Sequence, residues 1–453
     1  MKRYDQVRLY KCRHCLLKIK TSFAAVLTAM FLFAGCSFGG SVDLLLAPPR
    51  LSEDQSAVYD ALIKSVGKEV RLQYPRAGEY RSAFVFANID DEPDDEAIVF
   101  YEKSGESVGG SNVRINIIDR IDGKWTSVYD HAGAGTGIDR VIFSDIGTSG
   151  TMSMMIGYTM LSGEKSAAVY SYNDGRLYTE FTDSYSNMFV TDIDRDGAGE
   201  LVLIRPENQM KKAAMTLVSG RTEDGSFGET ASVALDSDAS EFVNIASGYI
   251  GTDTPAIFID GLSGGQVTTE IIYSVNGQLR NPLYLGESAM IENTRRPAGY
   301  LCTDIDLDGI IEIPTVSLFP GYYQDSRDSI YSINWNILDN YSIVKKYSSY
   351  YSPSNGYCFI LPSRWDGVVT VKIDSATGDV VFYKFRIDLT NSTTELMRIT
   401  SAGAAETADL LEDGYMVIKS NNNVNYLVKS PDIKDEPLVL TMTEISNNFY
   451  VMI

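Results

Sequence analysis

The sequence predicts a fold dominated by β-strands and built from repeated units of four strands. The first observation is a loop that occurs twice, at residues 192–200 and 304–312. Both copies have acidic residues at positions 1, 3 and 5, a glycine at position 6 and a glutamate at position 9. An apolar run stands before and after each copy. A loop that is repeated between strands indicates a repeat architecture.

The second observation is the spacing of five segments that share one order: an apolar strand, an acidic or glycine-rich loop, and a second apolar strand. The five loops begin at Asn88, Asp145, Asp192, Asn244 and Asp304. Spacings of about 50–60 residues hold four short strands with their turns, which is typical of β-propeller blades. We therefore predict five blades within residues 81–350 and a small α+β domain over residues 351–453. The alternative is seven blades, of which the last segment supplies two.

The first residues predict export. Residues 1–35 have the order of a secretory signal, with a basic segment up to Lys20, an apolar stretch over residues 23–33 and small residues before Cys36. The apolar stretch has about half of the ~20 residues that a membrane-spanning helix needs. Residues 32–36 (LFAGC) resemble the lipobox of bacterial lipoproteins. This resemblance implies cleavage before Cys36, attachment of lipid to its sulfur, and an extracytoplasmic location on the bacterial cell membrane.

A tether and a helix are predicted next. Residues 36–50 are rich in small residues and end near two prolines, which suits a flexible spacer between a lipid and a folded body. Ser52 and Gln55 have the spacing of a capping box. Residues 51–80 are therefore predicted to hold one amphipathic helix, over about residues 52–67, and a lead-in strand.

The acidic loops predict cation sites. Calcium takes about six to eight oxygen ligands in flexible geometry, and a glycine at position 6 lets the backbone turn tightly around the ion. The side chains at positions 1, 3, 5 and 9 and the carbonyl at position 7 are the candidate ligands. They are Asp192, Asp194, Asp196, Ala198 and Glu200 in one loop, and Asp304, Asp306, Asp308, Ile310 and Glu312 in the other. A third loop is partial, with a proline in place of the glycine, and it offers Asn88, Asp90, Glu92 and Glu96.

The predicted role of calcium is structural, because packed carboxylates repel one another unless a cation neutralises them. Magnesium suits such a loop less well, since it keeps most of its waters. The alternative is a set of aspartate-rich turns that cap their own backbone and bind no ion.

These loops resemble the FG-GAP or VCBS repeats of integrin-type β-propellers over about residues 80–320. The resemblance implies propeller blades with calcium bound between strands. Two features differ from the family pattern: position 9 is a glutamate where aspartate is commoner, and the loops at Asp145 and Asn244 lack most of the acids. Outside this range the chain has a general likeness to surface lipoproteins of Gram-positive bacteria.

Charge and histidine content exclude several classes of function. The 453 residues include 39 basic and 60 acidic side chains, a formal net charge of −21. This argues against nucleic acid as a partner and against electrostatic binding to anionic lipid, both of which need clustered lysine and arginine. His131 is the only histidine after the predicted signal, which argues against a histidine-dependent hydrolase or zinc site. On these grounds we predict that the protein is not an enzyme.

Two further features leave alternatives open. Aromatic residues crowd the stretch 319–357, either as a platform for a sugar or protein ligand or as core of a blade. Cys302 and Cys358 can pair in an oxidising compartment or lie apart as small buried side chains.

The sequence as a whole predicts a lipid-anchored, extracytoplasmic, non-catalytic binding or scaffolding protein, monomeric, with a calcium-stabilised propeller. Its protein or glycan ligand is not specified. The alternatives are a carbohydrate-active propeller enzyme that uses paired carboxylates, and a purely structural envelope protein.

Overall fold

The computed structural model describes most of the chain after residue 50. The described residues are 51–90, 92–103, 105, 111–146, 152–205, 207, 212–220, 227–236, 238–283, 290–323, 328–339, 342–433 and 435–452. The predicted signal, the tether and Cys36 lie outside them, as does most of the loop predicted at Asp145. The chain divides into two units, Met1–Ser56 and Ala57–Ile453, and all of the sheets belong to the second.

Helix α1 covers Glu53–Val66. The capping box is confirmed: the Gln55 backbone N–H donates to Ser52 Oγ, and the Ser52 N–H donates to Gln55 Oε1, both at 3.1 Å. Further along the helix, Val58 and Leu62 are buried against the first sheet. The predicted amphipathic helix is therefore confirmed, and the structure shows that its apolar face packs on a sheet.

The first three sheets are antiparallel and follow the chain. Sheet 1 contains β1 (Val70–Leu72), β2 (Phe84–Ala87), β3 (Glu96–Lys103), β4 (Val113–Ile121) and β5 (Lys124–Ala132). Sheet 2 contains β6 (Gly137–Ser144), β7 (Ser153–Thr159), β8 (Lys165–Asn173) and β9 (Arg176–Tyr185). Sheet 3 contains β10 (Asn187–Thr191), β11 (Glu200–Arg205), β12 (Ala214–Ser219) and β13 (Gly228–Ala234). In sheet 1, β1 and β2 both pair with β3, so these five strands fill four positions.

The last three sheets have additional strands. Sheet 4 contains β14 (Glu241–Ile250), β15 (Thr254–Ser263), β16 (Gln266–Val275), β17 (Gln278–Arg280) and β18 (Arg296–Pro297). Sheet 5 contains β19 (Ile313–Leu318), β20 (Tyr331–Asp339), β21 (Ser342–Ser352), β22 (Tyr357–Ile360) and β28 (Phe449–Val451). Sheet 6 contains β23 (Val369–Ile373), β24 (Val380–Lys384), β25 (Glu395–Gly403), β26 (Met416–Asn421) and β27 (Val424–Lys429). Two short helices accompany them, α2 (Ala404–Glu412) and α3 (Met442–Asn447).

Consecutive sheets pack face to face through apolar side chains. Successive residues of a strand point to opposite faces, so one strand serves two neighbours. Val202 of β11 packs in the cluster shared with sheet 4, whereas the next residue, Leu203, packs in the cluster shared with sheet 2. In β15 of sheet 4, Ile257 likewise packs in the cluster shared with sheet 3, and the next residue, Phe258, packs in the cluster shared with sheet 5. Inner strands such as β11 and β15 are therefore apolar on both faces, and the fold is a propeller-type fold of stacked antiparallel sheets.

Helices cover faces of the first and last sheets. Leu62 of α1 packs against Val99 in sheet 1, and Leu410 of α2 packs against Tyr415 and Leu427 at sheet 6. The described residues form six sheets. Sheets 1–5 correspond to the five predicted repeat units, and the alternative of seven blades does not match this number.

Three predicted boundaries differ from the structure. A loop was predicted to begin at Asn244, but Asn244 lies inside β14 of sheet 4. In this sheet a tight hairpin at residues 251–253 connects the first two strands in place of an acidic loop. Thr303 forms only an isolated bridge to Glu312 rather than a first strand. The boundary proposed between residues 350 and 351 falls inside β21, and sheet 5 takes its last strand, β28, from the segment assigned to a separate domain.

The aromatic stretch is mostly core, and the cysteines are not paired. Trp335 and Tyr357 are buried, while Tyr323 is 76% exposed. Trp335 donates to Ser349 Oγ at 2.7 Å within sheet 5. Cys302 and Cys358 are both free and buried.

The contact between Gly157 and Tyr185 gives a testable prediction about blade packing. A Cβ at Gly157 would lie 1.9 Å from Tyr185 Oη, which donates to Asp139 at 2.8 Å. We expect Gly157→Ala to lower the free energy of unfolding by about 1–3 kcal/mol, because the buried tyrosine must move. Urea denaturation measures the loss, and Gly403→Ala, where no atom lies within 4 Å, is the control. Equal stability of the two variants would contradict the prediction.

Candidate metal centre

The Asp192 loop joins β10 to β11 and turns on two residues in the left-handed region. Arg195 has φ 61° and Gly197 has φ 91°. The turn brings backbone N–H groups onto the first carboxylate: Asp192 Oδ1 accepts from the Asp196 N–H at 3.1 Å, and Oδ2 accepts from the Gly197 N–H at 3.0 Å. The aspartate at position 1 therefore organises the loop before any ion is considered.

The Asp304 loop, which leads to β19, has the same backbone. Leu307 has φ 63° and Gly309 has φ 88°. Asp304 Oδ1 accepts from the Asp308 N–H at 3.1 Å, and Oδ2 accepts from the Gly309 N–H at 2.8 Å. Two copies of one sequence pattern therefore adopt one conformation, in which a residue other than glycine tolerates a positive φ at position 4.

The glutamate at position 9 has a role that the sequence did not reveal. In each of three loops its Oε2 accepts from the backbone N–H at position 2. The pairs are Glu96 with Ile89 at 2.9 Å, Glu200 with Ile193 at 3.2 Å, and Glu312 with Ile305 at 2.9 Å. Burial raises the pKa of each of these carboxyls to about 7. Glutamate is long enough to fold back and hold the loop closed, which gives a physical reason for its presence at this position.

Two of the loops gather enough oxygen atoms for a metal ion. Carboxylate oxygens of Asp192, Asp194 and Glu200 lie within 4.8 Å of one another. The same holds for Asp304, Asp306 and Asp308. Each set can hold a metal ion, and an all-oxygen donor set suits a hard cation.

The other predicted ligands are less well placed. Asp196 and Glu312 are outside the two oxygen clusters. The partial loop at Asn88 forms no such cluster within the described residues, and the Asn88 side-chain amide donates to the Glu92 carbonyl. The candidate ligands Asp90 and Glu96 of this loop, and the carbonyls of Ala198 and Ile310, stay predictions.

A lysine from another strand enters the Asp304 loop. Lys346 Nζ of β21 lies 3.0 Å from Asp306 Oδ2, 2.6 Å from Asp308 Oδ2 and 2.8 Å from Glu312 Oε1. Burial lowers the pKa of Lys346, but the hydrogen bonds to the three carboxylates outweigh it and raise the pKa above its usual value. The short contact with Glu312 supports a charged pair. The adjacent Tyr347 donates to Asp306 Oδ2 at 2.8 Å.

The Asp192 loop has a different environment. Within the described residues, no lysine or arginine forms an ion pair with Asp192, Asp194 or Glu200. Arg195 instead lies over the Tyr249 ring, 5.4 Å from its centroid. The backbone N–H of Tyr249 donates to the Gly309 carbonyl at 2.9 Å. The end of β14 therefore stands between the two acidic loops.

A cavity of about 450 Å³ lies among sheets 2, 3 and 4. Its lining includes the acids Glu164 and Glu241 and the cations Lys165 and Arg205. Lys165 Nζ also forms an ion pair with Asp139 Oδ1 at 2.9 Å. The cavity offers a polar ligand both donors and acceptors of hydrogen bonds.

Glu270 of β16 makes stability depend on pH. It is 2% exposed, accepts from the Asp236 N–H at 3.0 Å and from Asn281 Nδ2 at 2.7 Å, and burial raises its pKa from 4.5 to about 7. The folded protein therefore binds this proton more tightly than the unfolded chain. Protonated Glu270 therefore adds to the free energy of unfolding. This contribution is fully present below pH 4.5 and is lost as the pH rises through about 7.

We expect Glu270→Gln to flatten this part of the pH dependence. When the pH rises from 5 to 8, the free energy of unfolding of the wild-type protein is expected to fall by on the order of 1–3 kcal/mol more than that of the variant. Melting temperatures at both pH values measure the difference, and the exposed Glu229→Gln serves as control. A variant that follows the wild-type curve would refute the assignment.

Comparisons with known proteins give distant structural similarities only. No family model and no curated protein sequence matches the chain. Among solved structures, the exotype rhamnogalacturonan lyase YesX is 12% identical, with a TM-score of 0.28, over 73% of this chain and 74% of its own. The Bacillus licheniformis rhamnogalacturonan lyase PL11 is 11% identical, with a TM-score of 0.29, over 70% and 74%. The Pseudomonas aeruginosa periplasmic gluconolactonase PpgL is 11% identical, with a TM-score of 0.28, over 71% and 86%. Similarity at this level carries no information on a substrate.

The prediction that the protein is not an enzyme is contradicted by these comparisons. The similar structures include lyases and a gluconolactonase. The prediction rested on the scarcity of histidine, and carboxylates, lysine and tyrosine can also transfer protons. A separate observation concerns the membrane: no helix in the described part of the chain has the length and apolarity needed to cross one.

Proposed function

We propose that the protein is an extracytoplasmic, lipid-anchored binding protein with an FG-GAP-like propeller, and that the Asp192 loop holds a structural calcium ion. The observation that carries the proposal is the convergence of Asp192, Asp194 and Glu200 within 4.8 Å in a preformed turn. An ordered loop loses little conformational entropy when an ion binds, and calcium accepts the carboxylate and carbonyl ligands that it offers.

Native mass spectrometry of the full chain tests the calcium site. We expect Asp192→Asn to lose one calcium ion relative to the wild-type protein, because the variant weakens the position-1 ligand. Asp253→Asn, in the exposed hairpin that replaces the loop in sheet 4, is the matched control and should keep the ion. A wild-type protein without calcium at millimolar concentration would refute the site.

The lipid anchor is supported by the LFAGC sequence at residues 32–36 and by the small-residue segment after it. Cys36→Ser is expected to move the protein from the membrane fraction to the soluble fraction. Incorporation of labelled fatty acid by the wild-type protein, but not by the variant, distinguishes lipidation from simple retention. Equal labelling of both proteins would contradict the anchor.

A second candidate function is a carbohydrate-active enzyme, and the cavity among sheets 2, 3 and 4 is the observation that favours it. Glu164 and Glu241 place two carboxyl groups in its lining, beside Lys165 and Arg205. Hydrolysis or elimination at a sugar requires an acid and a base of this kind. Screening polysaccharides for released products tests it. Activity that survives in both Glu164→Gln and Glu241→Gln would place the chemistry elsewhere.

A further inference from the structure

We propose that Lys346 is the resident cation of the Asp304 loop, so that this loop holds a lysine ammonium group where the Asp192 loop holds a metal ion. The comparison rests on the proposed calcium site at Asp192. The inference concerns the other loop, whose sequence alone predicts the same calcium ion.

The contacts of Lys346 are those of a central cation. Its ammonium group lies between 2.6 and 3.0 Å from oxygens of Asp306, Asp308 and Glu312, which are positions 3, 5 and 9 of the loop. The ammonium group donates hydrogen bonds to Asp308 and Glu312 and forms an ion pair with Asp306, which is within the donor capacity of a lysine. The Lys346 side chain is 17% exposed and that of Glu312 is fully buried, so solvent screens the charges of this pair little.

The Asp304 loop, with its lysine, has the same backbone conformation as the Asp192 loop. The hydrogen bonds at position 1 and the positive φ values at positions 4 and 6 match those of the Asp192 loop, in which no lysine or arginine within the described residues pairs with the clustered oxygens. Lys346 therefore supplies the positive charge of an ion in a turn that has the same geometry as the Asp192 loop. A divalent ion at this place must displace an ammonium group that is tethered to the same chain.

A β-bulge directs Lys346 into the loop. In the pairing of β20 with β21, Trp335 is opposite Tyr347 and Asn336 is opposite Lys345, which leaves Lys346 as the additional residue. A bulge bends the strand and changes the direction of a side chain. Lys346 and Tyr347 consequently both reach Asp306, although neighbours on a regular strand point to opposite faces.

Lys345 provides a matched control one position away. It pairs with Asp366 at 3.3 Å, and both side chains are exposed, at 45% and 67%. Such a surface pair contributes little to stability. Methionine at either position keeps an aliphatic stem of similar length and removes the charge.

Counting bound calcium in the full chain tests the inference. We expect Lys346→Met to bind one calcium ion more than the wild-type protein, with Kd on the order of 10⁻⁴–10⁻³ M, as in extracellular modules. Lys345→Met should bind the same number as the wild-type protein. A folded Lys346→Met variant that gains no ion overturns the inference.

A second measurement does not depend on the folding of the Lys346 variant. In the wild-type background, Asp304→Asn should lose no calcium, because the loop holds none. Loss of an ion in Asp304→Asn overturns the inference while leaving the proposed site at Asp192 intact. Conversely, a wild-type protein without calcium and a Lys346→Met variant with one ion would refute the Asp192 site and support the role of Lys346.

Discussion

Arg296→Met is expected to lower the free energy of unfolding by about 3–5 kcal/mol, because it leaves a buried carboxylate without its partner. Arg296 and Asp260 are both fully buried and lie 2.7 Å apart. The same aspartate accepts from Thr269 Oγ1 at 2.7 Å and from the Cys302 N–H at 2.8 Å. These bonds connect β15 and β16 of sheet 4 to the segment that leads into the Asp304 loop.

The effect is separable from the loss of a surface charge. Arg295 pairs with Glu292, which is 58% exposed, so Arg295→Met should cost less than about 1 kcal/mol. The double variant Asp260→Asn with Arg296→Met removes both charges and should recover part of the loss. Urea denaturation measures all three proteins. If the single and double variants are equally unstable, the buried charge is not the cause.

Removal of calcium is expected to lower the melting temperature of the wild-type protein. A ligand that binds only the folded state at about 100 times its Kd adds about 2.7 kcal/mol of stability. The wild-type protein should therefore lose a stabilisation of this order in EDTA, because Asp192, Asp194 and Glu200 then repel one another without a counter-ion. Calorimetry with calcium and with EDTA measures the shift.

The variants assign this shift to one loop. Asp192→Asn should melt at nearly the same temperature with calcium and with EDTA, whereas Asp253→Asn should behave as the wild-type protein does. Lys346→Met should become more sensitive to EDTA than the wild-type protein, since its second loop then needs an ion. An unchanged wild-type melting temperature in EDTA would remove the structural role of calcium.

The sequence predicted what is local and periodic. The two acidic loops, the strands on either side of the Asp192 loop and the capping box at Ser52 depend on neighbours within about ten residues, and the structure has them close to the predicted positions. The stacking of sheets depends on apolar residues on both faces of strands such as β11, which the structure shows. Patterns of this kind are visible along the chain because the contacts that produce them recur at fixed spacing.

Long-range contacts were not predictable in the same way. Lys346 reaches a loop that ends 34 positions earlier, and it does so through a bulge that no residue preference marks. The position-9 glutamates were predicted only as ligands, and the structure shows that each of them also accepts a backbone hydrogen bond. Catalysis was excluded from composition, although composition does not show which side chains line a cavity.

Sheet 5 can be completed only after nearly the whole chain has been synthesised, because its last strand is β28. Phe449 and Val451 pair with Phe359 and Tyr357 of β22, across about 90 intervening positions. Until that segment has been synthesised, β22 presents an open edge to which another strand can add. Sheets 2 and 3 have no such delay, since their strands follow one another in sequence. A nascent chain is thus most vulnerable to wrong pairing at sheet 5, and a chaperone or a protease would find its target there.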